Sequence, residues 1–180
     1  KDCILLIKIL KELIMKVKEK LKPTIGFIGA GNMGLPMVKN LVQKGFQVKV
    51  FDINPKITKK LEKENIKAVN NLRAVASNEF IISILPDTQN VESVFNTDTG
   101  INSYLKPGTI VIDMSTISSS SAIEIGKNLQ KKQIEFLDAP VSGGVKGALN
   151  ANLSIMVGGK KDTYKKSLDV LNSLGGNIIF

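Results

Sequence analysis

Ile25-Gly26-Phe27-Ile28-Gly29-Ala30-Gly31-Asn32-Met33-Gly34 reads as a short apolar strand running straight into Gly29-x-Gly31-x-x-Gly34 and then into a helix. Unbroken apolarity marks a central parallel strand, covered on both faces. The three glycines have separate jobs. Gly29 turns the chain tightly off the strand. Gly31 offers bare backbone that a pyrophosphate can approach. Gly34 lets the helix pack closely on the strand. The new helix presents unpaired N–H groups and a partial positive charge to the same phosphates.

The residues that follow agree. Met33, Pro36-Met37, Leu41 and Val42 recur at helical spacing up to Gly45, and a second strand, Gln47–Phe51, ends on Asp52. Asp52 lies 18 residues after Gly34, about where this fold places the carboxylate that takes the adenosine ribose hydroxyls. A carboxylate there repels a 2′-phosphate, and neither Ile53 nor Asn54 supplies an arginine. The expected cofactor is therefore NAD, preferred over NADP. The competing reading is a strand-turn-helix whose glycines serve packing alone, with Asp52 as a helix cap or surface acid.

Further out, apolar runs alternate with helical patterns. Strands are expected at Phe80–Leu85 (stopped by Pro86), Thr109–Asp113, Ile134–Leu137, Leu153–Val157 (ended by Gly158-Gly159) and Asn177–Phe180. The expected fold class is α/β, a doubly wound parallel sheet of Rossmann type over residues 23–180. Ligands in such sheets bind beyond the carboxyl ends of the strands. Leu85-Pro86, followed by Asn90, would flank the nicotinamide ribose, unless Pro86 only stops a strand. Ser115-Thr116 would bring hydroxyls near a nicotinamide, unless they cap the helix that the serine run 118–121 begins. Ser142-Gly143-Gly144 reads either as a hydroxyl beside successive N–H groups, a nest for a carboxylate, or as a tight turn. Lys146 reads as a surface lysine in a lysine-rich chain.

Composition excludes much else. Of 25 basic residues against 16 acidic, only Arg73 is an arginine. Base recognition favours arginine forks and single-strand binding favours interleaved aromatics. The charge is therefore read as a solvated lysine surface, with no nucleic-acid partner. There is no histidine, so no Ser-His-Asp triad and no His-ligated zinc. Cys3 stands alone, which suits a reducing intracellular compartment. No stretch is long and apolar enough to span a membrane. Residues 1–22 form a basic amphipathic extension, seven lysines against Asp2, Glu12 and Glu19. It is read as a packed helix, a targeting remnant or non-native sequence.

Gly26 to Met37 with Asn40-Leu41, then Asp113-Met114-Ser115-Thr116-Ile117, Asp138 to Gly144, and Met156-Val157-Gly158-Gly159 resemble, in order, four motifs of the 3-hydroxyisobutyrate dehydrogenase family. This is a branch of the β-hydroxyacid dehydrogenases, related to 6-phosphogluconate dehydrogenase. The resemblance implies that Ala30, Asn32 and Met33 belong to the pyrophosphate loop. It implies that Leu85, Pro86, Asn90 and Thr116 contact the cofactor, and that Ser142, Gly143 and Gly144 hold the substrate carboxylate. It implies reversible oxidation of a small β-hydroxy acid, 3-hydroxyisobutyrate first, with tartronate or succinic semialdehyde reductases as alternatives and a catalytically inactive dinucleotide-binding module as a further one. Asp52 matches the NAD-using members. The family's acid/base is a lysine on a helix after this domain, leading into a helical domain that makes an oligomer. No residue up to Phe180 matches it, so no catalytic residue is assigned and the fragment alone is expected to bind cofactor without efficient turnover. The implied compartment is the mitochondrial matrix in a eukaryote or the cytoplasm in a bacterium.

Overall fold

In a computed structural model of the chain, which describes residues 22–95 and 98–180, the decisive stretch is a strand, a turn and a helix. Strand β1 is Thr24–Ile28 and helix α1 is Gly34–Gln43. There follow β2 (Gln47–Phe51), α2 (Pro55–Lys63), β3 (Lys67–Ala68), α3 (Leu72–Val75), β4 (Phe80–Ser83) and α4 (Thr88–Val94). After these come β5 (Ile110–Asp113), α5 (Ser119–Lys131), β6 (Glu135–Asp138), β7 (Val141–Ser142) and α6 (Gly144–Leu149). The chain closes with β8 (Leu153–Met156), β9 (Gly158–Gly159), α7 (Lys161–Asn172) and β10 (Gly175–Ile179). The reading of residues 1–22 lies outside the described residues except for Lys22. Its ammonium sits 3.2 Å from Asp169 and 4.2 Å from the centre of the Phe46 ring.

The main sheet runs β3-β2-β1-β4-β5-β6-β9. All its pairings are parallel except the last, where β9 runs antiparallel to β6. The strand order reverses between β1 and β4. Chain crossovers leave this point in opposite directions, which opens a crevice at the carboxyl ends of the strands. The central strands β1, β4 and β5 are buried on both faces, so their apolar runs are continuous, whereas β2 alternates buried with less buried residues. Ile25 and Phe27 of β1 are fully buried with Met37, Val38 and Leu41 of α1 on one face. Ile28 packs with Val75, Ile81 and Val111 on the other.

Helix starts follow local chemistry. Asn54, Asn71, Asp87 and Ser118 each accept a backbone N–H with their side chains and so cap α2, α3, α4 and α5. No described side chain caps α1, and no acid lies in its first turn.

Three expectations need correcting. Ser142-Gly143-Gly144 is not only a tight turn, because Val141-Ser142 pairs antiparallel with β8 and Gly144 opens the six-residue α6. Gly158-Gly159 does not merely end a strand but forms β9 at the sheet edge. Strands β8 and β10 do not extend the main sheet; with β7 they form a second, three-stranded sheet.

Candidate functional site

A cleft of about 490 Å³ opens where the strand order reverses. Its wall brings together Gly29, Gly31, Asn32, Met33 and Gly34 from the turn, Asp52 from the end of β2, and Leu85, Pro86 and Asn90 from beyond β4. These residues lie far apart in sequence and were expected to act together.

The turn separates the glycines by cause. Gly29 has φ +91°, and a Cβ there would meet the Ile84 carbonyl at 2.4 Å. At Gly34 a Cβ would lie 1.9 Å from the Gly29 carbonyl oxygen. Both are therefore glycine for reasons internal to the fold. Gly31 is different. A Cβ there meets nothing within 4 Å, and its φ is not positive. Among the described residues no contact requires glycine at this position, so packing accounts for Gly29 and Gly34 but not for Gly31. What remains is a missing side chain facing an open cleft, beside a helix N-terminus with uncommitted N–H groups. That cradle fits a pyrophosphate.

Asp52 stands at the other end of the turn. Its Oδ2 accepts the Ala30 N–H at 2.7 Å, and its Oδ1 accepts the Asn54 N–H at 2.8 Å. The carboxylate thus braces the turn and still lines the cleft with spare lone pairs. The cap of α2 is Asn54, so Asp52 does not serve as one. Ala30 contributes through its backbone, since its side chain is buried in the core.

Asn90 gives both its backbone N–H and its side-chain amide to Asp87, at 2.9 and 2.8 Å. Its side-chain carbonyl oxygen and second amide N–H are left for the cleft. Those bonds, the backbone one first, hold the Asp87 carboxyl below its ordinary value.

Ser115 does not face the cleft, contrary to expectation. It is 1% exposed, donates to Asp113 Oδ1 at 2.7 Å and accepts the Leu85 N–H at 2.9 Å. Thr116, next to it, is exposed but outside the cleft wall. Ser142, Gly143 and Gly144 are also exposed outside that wall, with φ +125° at Gly143 and +58° at Gly144. They lead into α6, whose Val145 and Leu149 border a groove on the other side of the glycine turn. Asn40 of α1 ties α6 in place by donating to the Ala148 carbonyl at 2.6 Å.

Sequence reasoning missed part of the wall: Phe51, Ile53, Ile57, Ile84 and Val94. Ile53 is 92% exposed. So exposed an apolar side chain at a cleft lip offers a surface for a flat ring, but that exposure is visible only in the folded chain.

Burial pushes the Asp113 carboxyl up, against the bonds from Ser115 and Ser83 that pull it down. Asp138 is pushed up by burial and then by the charge of Asp113. A raised carboxyl holds its proton better in the folded chain. Its stabilising contribution is complete below the ordinary value of 3.8 and is lost as pH rises through the folded value. Glu135 acts oppositely: the Lys166 hydrogen bond and then the Thr163 hydrogen bond hold it below 4.5. Asp113→Asn should therefore gain melting temperature over the parent progressively as pH rises above 3.8. Circular-dichroism melts across pH check this, and a difference that does not change with pH contradicts it.

Among the described residues no cluster of acids and cysteine is placed to hold a metal, and no helix is long and apolar enough to cross a membrane.

Comparison with known proteins agrees with the geometry. A family profile described as the NAD binding domain of 6-phosphogluconate dehydrogenase matches residues 24–180. The mitochondrial 3-hydroxyisobutyrate dehydrogenase of Mus musculus is 37% identical over 160 residues, covering 88% of this chain and 48% of that protein. The 2-(hydroxymethyl)glutarate dehydrogenase of Eubacterium barkeri is 39% identical over 155 residues, 86% of this chain and 52% of that protein. Among solved structures, the Mycobacterium tuberculosis 3-hydroxyisobutyrate dehydrogenase with L-serine superposes with a TM-score of 0.83 at 37% identity, covering 88% of this chain and 54% of that one. The chain spans about half the length of the relatives it matches.

Proposed function

The chain belongs to the family of the NAD-binding domain of 6-phosphogluconate dehydrogenase, and on that premise we propose that it is the cofactor half of an NAD-dependent β-hydroxyacid dehydrogenase. The observation that carries the reading is Gly31, a glycine the fold does not need, at the mouth of a cleft bounded by an uncapped helix and a carboxylate. Gly29 to Gly34 hold the pyrophosphate on backbone N–H groups. Asp52 takes the adenosine ribose hydroxyls and disfavours a 2′-phosphate, which makes NAD the preferred form. In the doubly wound topology the second nucleotide then lies across the reversal point, over the ends of β4 and β5. Leu85, Pro86 and the Asn90 carbonyl flank its ribose, with Thr116 beyond. When bound, the cofactor supplies the acceptor for a hydride from the substrate carbon.

Ser142, Gly143 and Gly144 are the proposed carboxylate holders, through the Ser142 hydroxyl and the N–H groups at the start of α6. The proton of the substrate hydroxyl needs a base, and no residue in the cleft wall is suited to it. We assign that role to a lysine of the full-length protein outside these residues, in a helical domain that also makes the oligomer. General acid/base help of this kind is worth roughly 10²–10⁴-fold in rate.

The proposed substrate is 3-hydroxyisobutyrate, oxidised to methylmalonate semialdehyde in branched-chain amino-acid breakdown, and the proposed compartment is the mitochondrial matrix in a eukaryote, as for the Mus musculus relative, or the cytoplasm in a bacterium. Two experiments test this in order. Sequencing the source transcript past the codon for Phe180 should show a frame continuing into a helix with an inward lysine. A stop codon there makes the chain a dinucleotide-binding module instead. The full-length protein should then form NADH with the highest kcat/KM on 3-hydroxyisobutyrate. A higher value on L-serine, 2-(hydroxymethyl)glutarate, tartronate or a succinic semialdehyde-derived acid overturns the substrate assignment and leaves the reaction class intact.

A further inference from the structure

Ser83 of β4, Asp113 of β5 and Asp138 of β6 are register partners on neighbouring strands. Such partners project to the same face, so a hydroxyl and two carboxyls form a row under the carboxyl end of the sheet. Asp113 is fully buried, a costly place for a carboxylate unless its oxygens are bonded. Its bonds converge on one oxygen. Oδ1 accepts from the Ser83 hydroxyl at 2.7 Å, the Ser115 hydroxyl at 2.7 Å and the Ser115 N–H at 3.3 Å. Among the described residues Oδ2 meets no partner.

A residue needed only to fill that space would be apolar, like its neighbours Ile112 and Met114, both buried. Asp113 does something an apolar side chain cannot: it sets the direction of a hydroxyl. Ser115 has a single hydroxyl proton, and Asp113 Oδ1, an acceptor, takes it. The Ser115 lone pairs are thereby left to accept the Leu85 N–H at 2.9 Å. Leu85 and Pro86 wall the cleft on the side of β4. The chain of bonds therefore runs from the buried acid to the cleft.

We propose that Asp113 is a positioning residue that, through the Ser115 hydroxyl, fixes the Leu85-Pro86 wall at the nicotinamide end of the cleft. The inference rests on the cofactor reading above and adds to it a specific division of labour. The adenosine end is held by Asp52 and the glycine turn. The nicotinamide end is held at one remove, by a buried acid that touches no ligand.

The test compares two ligands on the 180-residue chain: NADH, which reaches both ends of the cleft, and ADP-ribose, which lacks the nicotinamide. Ser115→Ala and Asp113→Ala should weaken NADH binding on the order of tenfold and leave ADP-ribose binding within about twofold of the parent. Asp113→Asn, whose carbonyl still accepts both hydroxyls, should keep the parent's affinity for both. Melting temperatures are recorded for each variant. If Asp113→Ala does not fold, Ser115→Ala carries the comparison. Equal weakening of both ligands assigns Asp113 and Ser115 a purely structural role and overturns the proposal, as does unchanged NADH binding in Ser115→Ala. Parent chain that binds neither ligand overturns the cofactor reading itself, and this inference with it.

Discussion

Gly31→Ala should leave the melting temperature of the chain unchanged and weaken NADH binding by on the order of a hundredfold. The reason is the asymmetry among the three glycines. The added methyl meets nothing within 4 Å, so the folded chain accommodates it, and alanine costs less backbone entropy than glycine. The space it fills is the path by which the pyrophosphate reaches the backbone. Pushing the phosphates away forfeits charge-assisted hydrogen bonds worth about 1.5–3 kcal/mol each, and losing one or two of them gives that factor. Gly34→Ala is the control with the opposite signature. Its methyl would lie 1.9 Å from the Gly29 carbonyl oxygen, so α1 must move off β1 and the melting temperature falls with the binding. Thermal melts and NADH titrations on both variants separate a ligand effect from a folding effect. If Gly31→Ala binds NADH like the parent, the turn does not cradle a pyrophosphate.

The second large effect is on the choice of cofactor. Asp52→Asn paired with Ile53→Arg should reverse the preference, from NADH bound better than NADPH to NADPH bound better. The first change removes the charge that repels a 2′-phosphate. The amide still has one oxygen to accept either the Ala30 or the Asn54 N–H, which the Asp52 carboxylate now holds at 2.7 and 2.8 Å. The second change puts a guanidinium at a side chain 92% exposed, where it displaces no packing and reaches a phosphate. Asp52→Asn alone should bring the two affinities close together, mostly by weakening NADH. Asp52→Ala should do more harm, because neither backbone donor keeps its partner. A preference for NADH that survives Asp52→Ala unchanged would remove Asp52 from cofactor selection.

What could be read from the sequence was local. The glycine turn and Asp52 are fixed by spacing within about thirty residues, and each residue type has one physical use there. The alternation of apolar runs and helical patterns gave the layered sheet for the same reason. The parts that resisted are those assembled across the sheet. Ser83 and Asp113 meet although they stand 30 positions apart, and no periodicity announces a buried polar row. Ser115 was placed correctly in the chain but turned the wrong way. The direction of a hydroxyl depends on a neighbour, Asp113 Oδ1, that only the folded strand supplies. Helix α6 carries Gly144 and Gly147, and β9 is two glycines. Neither has intrinsic preference for its conformation, which is set by pairing with β6 and packing on α1. The apolar lip at Ile53 and Ile57 was hidden because exposure is a property of the folded surface, not of the residue type.

The most direct test is a fluorescence titration of the folded 180-residue chain with NADH and, separately, NADPH. The expected result is saturable binding of NADH, competed by NAD, with NADPH weaker at the same ionic strength. Folded chain that shows no saturable binding of either nucleotide would contradict the assignment of the cleft at its root.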